Sequence, residues 1–189
     1  MPEHARAENP AGPSPRRAAR QRLVLAVGLP GSGKSTYFAR RGIVPLSSDW
    51  LRLILADDVT EQRFQPFIFV ALRFLVRMRL KLDRPVTYVD ATNLTPAERG
   101  RYIAIGRRHG CQMEAIFFDA PLEVCRERNR ARKRRVPEEA MLALSARLQP
   151  PVLAEGFDKI TTIYADGRTV TETVSGSQDA PSGSERPGS

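Results

Sequence analysis

The 189-residue chain carries 30 Lys+Arg against 21 Asp+Glu, a formal balance of +9. With 41% hydrophobic and 27% charged residues it is too apolar to be wholly disordered, and its length suggests one domain with a real core. Two cysteines, Cys111 and Cys125, exclude a disulfide framework and lack CxxC spacing, and His4 and His109 cannot build a His-ligated metal site. No apolar run approaches a membrane span, and MPEHARAENPAGPSP lacks the apolar core of a secretory signal, so a reduced cytoplasm is expected. Nearly all the positive charge is Arg, with lysine only at 34, 81, 133 and 159. Arg suits bidentate phosphate recognition, although solvated Arg-rich faces would give the same balance.

In chain order, residues 1–20 are rich in Pro, Ala, Gly and Arg without a hydrophobic period, and read as a disordered basic tail. Leu23–Val27 is a buried-strand candidate ending at Gly28, and a helix should start near Lys34 and stop before Gly42, a good C-terminal cap. Ile43–Leu46 reads as a short strand, after which Asp49 precedes the apolar segment WLRLILA. Phe64, Phe67, Ile68, Ala71, Leu72, Leu75, Met78 and Leu82 follow the spacing of a long core helix. Val86–Val89 is strand-like. Thr95-Pro96-Ala97-Glu98 places a cap, a first-turn Pro and a Glu for a helix to about His109. Met113–Phe118 is the next strand, Pro121 and Pro137 each open a helix, and Lys159–Tyr164 is a last strand. The domain is therefore placed at 21–165, with 166–189 a mostly disordered polar tail. Strands separated by helices imply an α/β fold with a mostly parallel sheet and helices on both faces.

Four segments carry chemistry. Gly28-Leu-Pro-Gly-Ser-Gly-Lys34-Ser35 satisfies G-x-x-x-x-G-K-[ST] between a strand and a helix. Its glycines let the backbone curl until successive N–H groups face phosphate oxygens, with the helix start behind them. Gly28, Pro30, Gly31, Ser32, Gly33, Lys34, Ser35 and Thr36 form this nucleotide-binding loop. Lys34 is positioned to reach the β- and γ-phosphates, and Ser35 offers its hydroxyl to Mg²⁺. Asp90 closes the strand VTYVD and, in a parallel sheet, falls on the ligand-binding edge beside Lys34 and Ser35, where it can hold Mg²⁺; a cap or turn acid is the alternative. Asp49 of SSDWLR also follows a strand, and could take a proton from an acceptor hydroxyl, cap the helix it opens, or do both. Arg52 stands one turn further on. Arg126, Arg128, Arg130, Arg132, Lys133, Arg134 and Arg135 form a dense basic run between two helices, consistent with an Arg-rich helical lid or with a solvated face.

Taken together, GLPGSGKST, SSDWLR, YVDATN and RNRARKRRVP resemble the P-loop kinase group that includes the polynucleotide 5′-hydroxyl kinases, from about Arg22 to Ile163. The resemblance implies a P-loop NTPase fold, with Lys34 and Ser35 on ATP and metal, Asp49 as general base and Arg52 on acceptor phosphate. It also implies Asp90 beside the metal and Arg132 as the lid arginine acting on the transferred phosphate, flanked by Arg128 on ATP and by Arg130. Better-known members often carry a phosphatase or ligase domain, which this chain has no room for. The expected activity is ATP- and Mg²⁺-dependent transfer of a phosphoryl group to a hydroxyl, with a single-stranded nucleic-acid 5′-OH the leading acceptor. A small metabolite is the alternative acceptor, and an ATP-binding switch without an acceptor is the alternative class.

Overall fold

The computed structural model describes residues 20–58, 63–132 and 135–174. Residues 1–19 and 175–189, which fall within the ends read as tails (1–20 and 166–189), and Lys133 and Arg134 of the basic run lie outside these residues. Six strands form one sheet in the order β2-β3-β1-β4-β5-β6, where β1 is Arg22–Val27, β2 Leu46–Ser47, β3 Val86–Asp90, β4 Gln112–Asp119, β5 Lys159–Tyr164 and β6 Thr169–Thr173. β1 pairs in parallel with β3 and β4, β2 with β3, and β4 with β5. Only β6 runs antiparallel, against β5.

β1 lies at the centre and is buried on both faces, the mark of a parallel strand between two layers of helix. Its alternation sorts the core. Leu23, Leu25 and Val27 face one layer, where they join Ile68, Leu72, Val76 and Leu80 of α3 (Gln65–Lys81) and Tyr102 and Ile103 of α4 (Pro96–Arg108). Val24 and Ala26 face the other layer, packing with Phe38 of α1 (Lys34–Arg40), Ile116 and Phe118. A third cluster, Leu29, Leu94, Ala120, Cys125 and Met141, seats α5 (Leu122–Arg130) and α6 (Glu138–Arg147) beside the ends of the strands.

Three expectations need correction. The second strand is Leu46–Ser47 instead of Ile43–Leu46: Val44 is 91% exposed, and Pro45 has no N–H to give a ladder. α3 buries Ile68, Leu72, Val76 and Leu80, while Phe64, Phe67 and Leu82 of the anticipated stripe are exposed. This helix is apolar on more than one side, so residue spacing admits two stripes and packing selects one. The segment 166–189 contributes β6, joined to β5 by a turn in which the Tyr164 N–H donates to the Arg168 carbonyl, the Gly167 N–H donates to the Tyr164 carbonyl and Asp166 accepts from the Arg168 N–H at 2.9 Å.

The cap of α4 follows the TPAE signal. Thr95 accepts from the Glu98 N–H at 3.3 Å, and the Glu98 carboxylate accepts from the Leu94 N–H at 2.7 Å. Asp49, in contrast, does not cap α2 (Ser48–Ala56). Ser47 does, its hydroxyl accepting from the Trp50 N–H at 3.4 Å, which leaves Asp49 in the first turn.

Candidate active site

Parallel strands deliver their carboxyl ends to one edge, and register fixes which residues arrive there together. Ala26 is paired with Asp90, and Ser47 with Asp90, so the ends of β1, β3 and β2 are consecutive. A cavity of about 620 Å³ opens along this edge. The phosphate-binding loop lines it through Pro30, Gly31, Lys34 and Ser35, β3 through Asp90, and α2 through Asp49 and Arg52. Arg132 and Arg135 close it from the basic run. Phe69 of α3 and Val136, Ala140, Ala143 and Leu144 from the α6 side give it an apolar wall.

The loop keeps its shape through close backbone contacts. Gly31 has φ +85°, and a Cβ there would lie 2.4 Å from the Cys125 carbonyl oxygen of α5, so a side chain is barred twice over. Gly28 donates its N–H to the Thr92 carbonyl, and the Asn93 side chain donates to the Ala26 carbonyl at 2.8 Å, which ties the loop after β3 to the end of β1. Arg99 supports this loop from below. It is fully buried, paired with Glu155, and donates to the carbonyls of Asn93, Leu94 and Gln149.

Lys34 is buried and folds back on its own loop, donating to the carbonyls of Gly28 and Leu29, each at 2.7 Å. Burial pushes its pKa down to about 8, against the opposing pull of Asp90 and with a further push from Arg132. Asp90 moves up, chiefly through burial and against the attraction of Lys34, with Asp49 adding to the rise. The Ser35 hydroxyl lies 3.5 Å from the Asp90 carboxylate. No group of three His, Cys, Asp or Glu among the described residues is arranged to hold a metal ion. Ser35 and Asp90 nevertheless give two adjacent hard oxygens, which fits the sparse protein ligation of a phosphate-bound Mg²⁺.

Arg52 is 3% exposed, a desolvated cation at the cavity wall. Its guanidinium donates to Asp49 at 2.7 Å and to Gln65 of α3 at 2.5 Å, so α2 and α3 jointly fix it. Ser32 is buried in the loop, while Gly33, at φ +110°, caps α1. Thr36 is exposed on α1, and neither it nor Arg128 is part of the cavity lining. Arg128 instead donates to the Ser32 carbonyl at 3.4 Å and braces the loop from α5. Gln65, Phe69 and the small residues of α6 were not singled out by sequence. A polar residue at a helix start and two alanines carry no local signal, and only tertiary packing brings them here.

A family model described as an AAA domain matches residues 23–151, most of the chain. The chain belongs to this family. Its fold is that of the P-loop kinases. A chain in the Pnkp1/Rnl/Hen1 RNA repair complex is similar at 26% identity and a TM-score of 0.58, over 69% of this chain. This chain spans 44% of that longer one. The Mycobacterium tuberculosis APS kinase CysC, solved with AMPPNP and APS, shares the fold at 21% identity and TM-score 0.51, over 79% of this chain and 91% of its own. Chaetomium thermophilum Kti12, solved with ADP-AlF3, does so at 16% identity and TM-score 0.52, over 76% of this chain and 89% of its own. No helix among the described residues is long and apolar enough to cross a membrane.

Proposed function

We propose that the chain is an ATP-dependent kinase whose acceptor is a hydroxyl of single-stranded nucleic acid, the 5′-OH first. The observation that carries this reading is the shared cavity. Lys34, Ser35 and Asp90 suit a nucleoside triphosphate and its metal, while Asp49, Arg52 and an apolar wall face the same space. A switch that only binds nucleotide has no use for an acceptor side of this kind.

The roles follow from chemistry. Lys34 leaves the carbonyls of Gly28 and Leu29 to pair with the β- and γ-phosphates, and the loop N–H groups take the remaining oxygens. Ser35 and Asp90 would hold a Mg²⁺, which when bound would supply charge neutralisation for the phosphates. Asp49 accepts the proton of the acceptor hydroxyl as its oxygen attacks the γ-phosphorus. The bond to the β-phosphate oxygen breaks and ADP leaves. Arg132 meets the charge that accumulates on the transferring group. Arg52, already desolvated and oriented, binds a phosphate of the acceptor.

The apolar wall of Phe69, Val136, Ala140, Ala143 and Leu144 favours a nucleoside body over a small polyol, which would need polar partners all around. Similarity to a chain of an RNA repair complex supports the same acceptor. The test is transfer of label from γ-labelled ATP to 5′-OH and 5′-phosphate oligonucleotides and to a panel of hydroxyl metabolites. The 5′-OH oligonucleotide should be labelled and the 5′-phosphate one not. Asp49→Asn should lower kcat by about 10²–10⁴-fold with ATP binding kept. Label in metabolites alone replaces the acceptor, and label in none of them removes the kinase reading.

A further inference from the structure

The arginines facing the cavity from the α6 side stand on the segment that links α5 to α6, and one side chain joins the two ends of that segment. Asn129, near the end of α5, is 5% exposed. Its amide nitrogen donates to the Val136 carbonyl at 2.8 Å, and its amide oxygen accepts from the Val136 N–H at 3.0 Å. The amide thus reproduces the double exchange that two backbones make in a hydrogen-bonded antiparallel pair. Its own carbonyl accepts from the Arg132 N–H at 3.2 Å. The side chain therefore fixes the backbone at Val136, while the backbone carbonyl of the same residue receives the Arg132 N–H.

Asn129 is in turn referenced to the nucleotide loop. Cys125, one turn earlier, sets its carbonyl against Gly31, and Arg128 donates to Ser32. On the outer side Arg126 pairs with Glu123 and with Glu138 at the start of α6. Asn129 is absent from the cavity lining. Arg132 is exposed, and no ion pair or side-chain hydrogen bond among the described residues fixes its guanidinium. Its aim depends on where the backbone holds it.

We propose that Asn129 is a positioning residue for phosphoryl transfer, holding Arg132 toward the cavity by bridging both backbone groups of Val136. This rests on the reading of Arg132 given above. A cation that is placed before the reaction needs no reorganisation during it, and misplacement by about 1 Å costs on the order of 10²-fold.

The experiment combines kinetics with amide exchange. Asn129→Ala should lower kcat by about 10- to 100-fold and leave the KM for ATP within about twofold, because the nucleotide loop is untouched. In an Arg132→Ala background the same change should cost no more than about twofold further, since the guanidinium it positions is gone. A purely structural role would multiply the two losses, which overturns the proposal, as does an unchanged kcat in Asn129→Ala. Should Asn129→Ala not fold, the wild-type protein still decides: the Val136 amide should exchange at least about 100-fold more slowly than a free peptide, and unprotected exchange overturns the bridge. If Arg132→Ala turns over normally, the reading of the site fails. A protected Val136 alongside that result makes Asn129 architectural only, so the two failures are told apart.

Discussion

Arg99 lies fully buried beneath the connection between β3 and α4, whereas Arg132 stands exposed at the edge of the cavity. The Nε and Nη2 of Arg99 meet Glu155 at 2.7 and 2.6 Å, and Nη1 donates to the carbonyls of Asn93, Leu94 and Gln149 at 3.0 Å each. Its donors are committed to the protein and draw three separate segments together. Arg132 has no ion pair among the described residues, and it faces Lys34 and Asp90, whose titration it perturbs. The same guanidinium, with its fixed fork of donors, is architecture where the fold satisfies it and, in the function proposed above, chemistry where the fold leaves it facing a cavity. Arg52 stands between the two, buried but turned to the cavity with Asp49 and Gln65 holding it.

Mutation should separate the two extremes. Arg132→Ala is expected to lower kcat by about 10³-fold, the low end for arginines that act on a transferring phosphoryl group, with thermal unfolding unchanged. Matched kinetics and melting curves check this, and a large loss of stability would erase the distinction. Arg99→Ala should do the reverse. It leaves Glu155 and three carbonyls buried without their cation, at a cost of about 3–5 kcal/mol in urea unfolding. The protein that remains folded should lose far less turnover than Arg132→Ala.

The smallest effect is one of pH. Burial holds Lys34 near a pKa of about 8, below the 10.5 of a free lysine. Below pH 8 the buried ammonium is charged in the native state, and its cost is fully present. Between pH 8 and 10.5 the native state has lost a proton that the unfolded chain keeps, so the contribution of Lys34 to stability rises with pH in that window. Triphosphate binding needs the charged form and should weaken by about fourfold between pH 7 and 8.5, with proton uptake on binding at the higher pH. Titration calorimetry in two buffers of different ionisation enthalpy reads both. Affinity that stays flat, with no proton uptake, would mean that Lys34 is charged throughout.

Much of the site was legible because its signals are local. The spacing of Gly28, Gly33, Lys34 and Ser35 is fixed by the loop they build, and the rule that parallel strands end on one edge places Asp90 and Asp49 beside it. The rest depends on packing. Phe67 and Phe74 of α3 satisfy a helical stripe as well as Leu72 and Val76 do, and only the position of the sheet shows which is buried. β6 had a signal in YADGRT, since Asp-Gly between alternating residues marks a hairpin, but the polar composition that follows obscured it. Asn129 sits unremarked in an arginine run, because its partner is a backbone that sequence cannot place. Gln65 meets Arg52 only through the approach of α2 and α3.

The claim that the cavity accepts a polynucleotide is tested most directly by salt. Initial rates with a short 5′-OH oligonucleotide at saturating ATP, plotted as log kcat/KM against log salt, report the acceptor phosphates that are contacted. With Arg52 holding one, the slope should be about −0.7 or steeper, and Arg52→Ala should make it shallower by about 0.7. A flat slope, or no transfer to any oligonucleotide, would contradict the account.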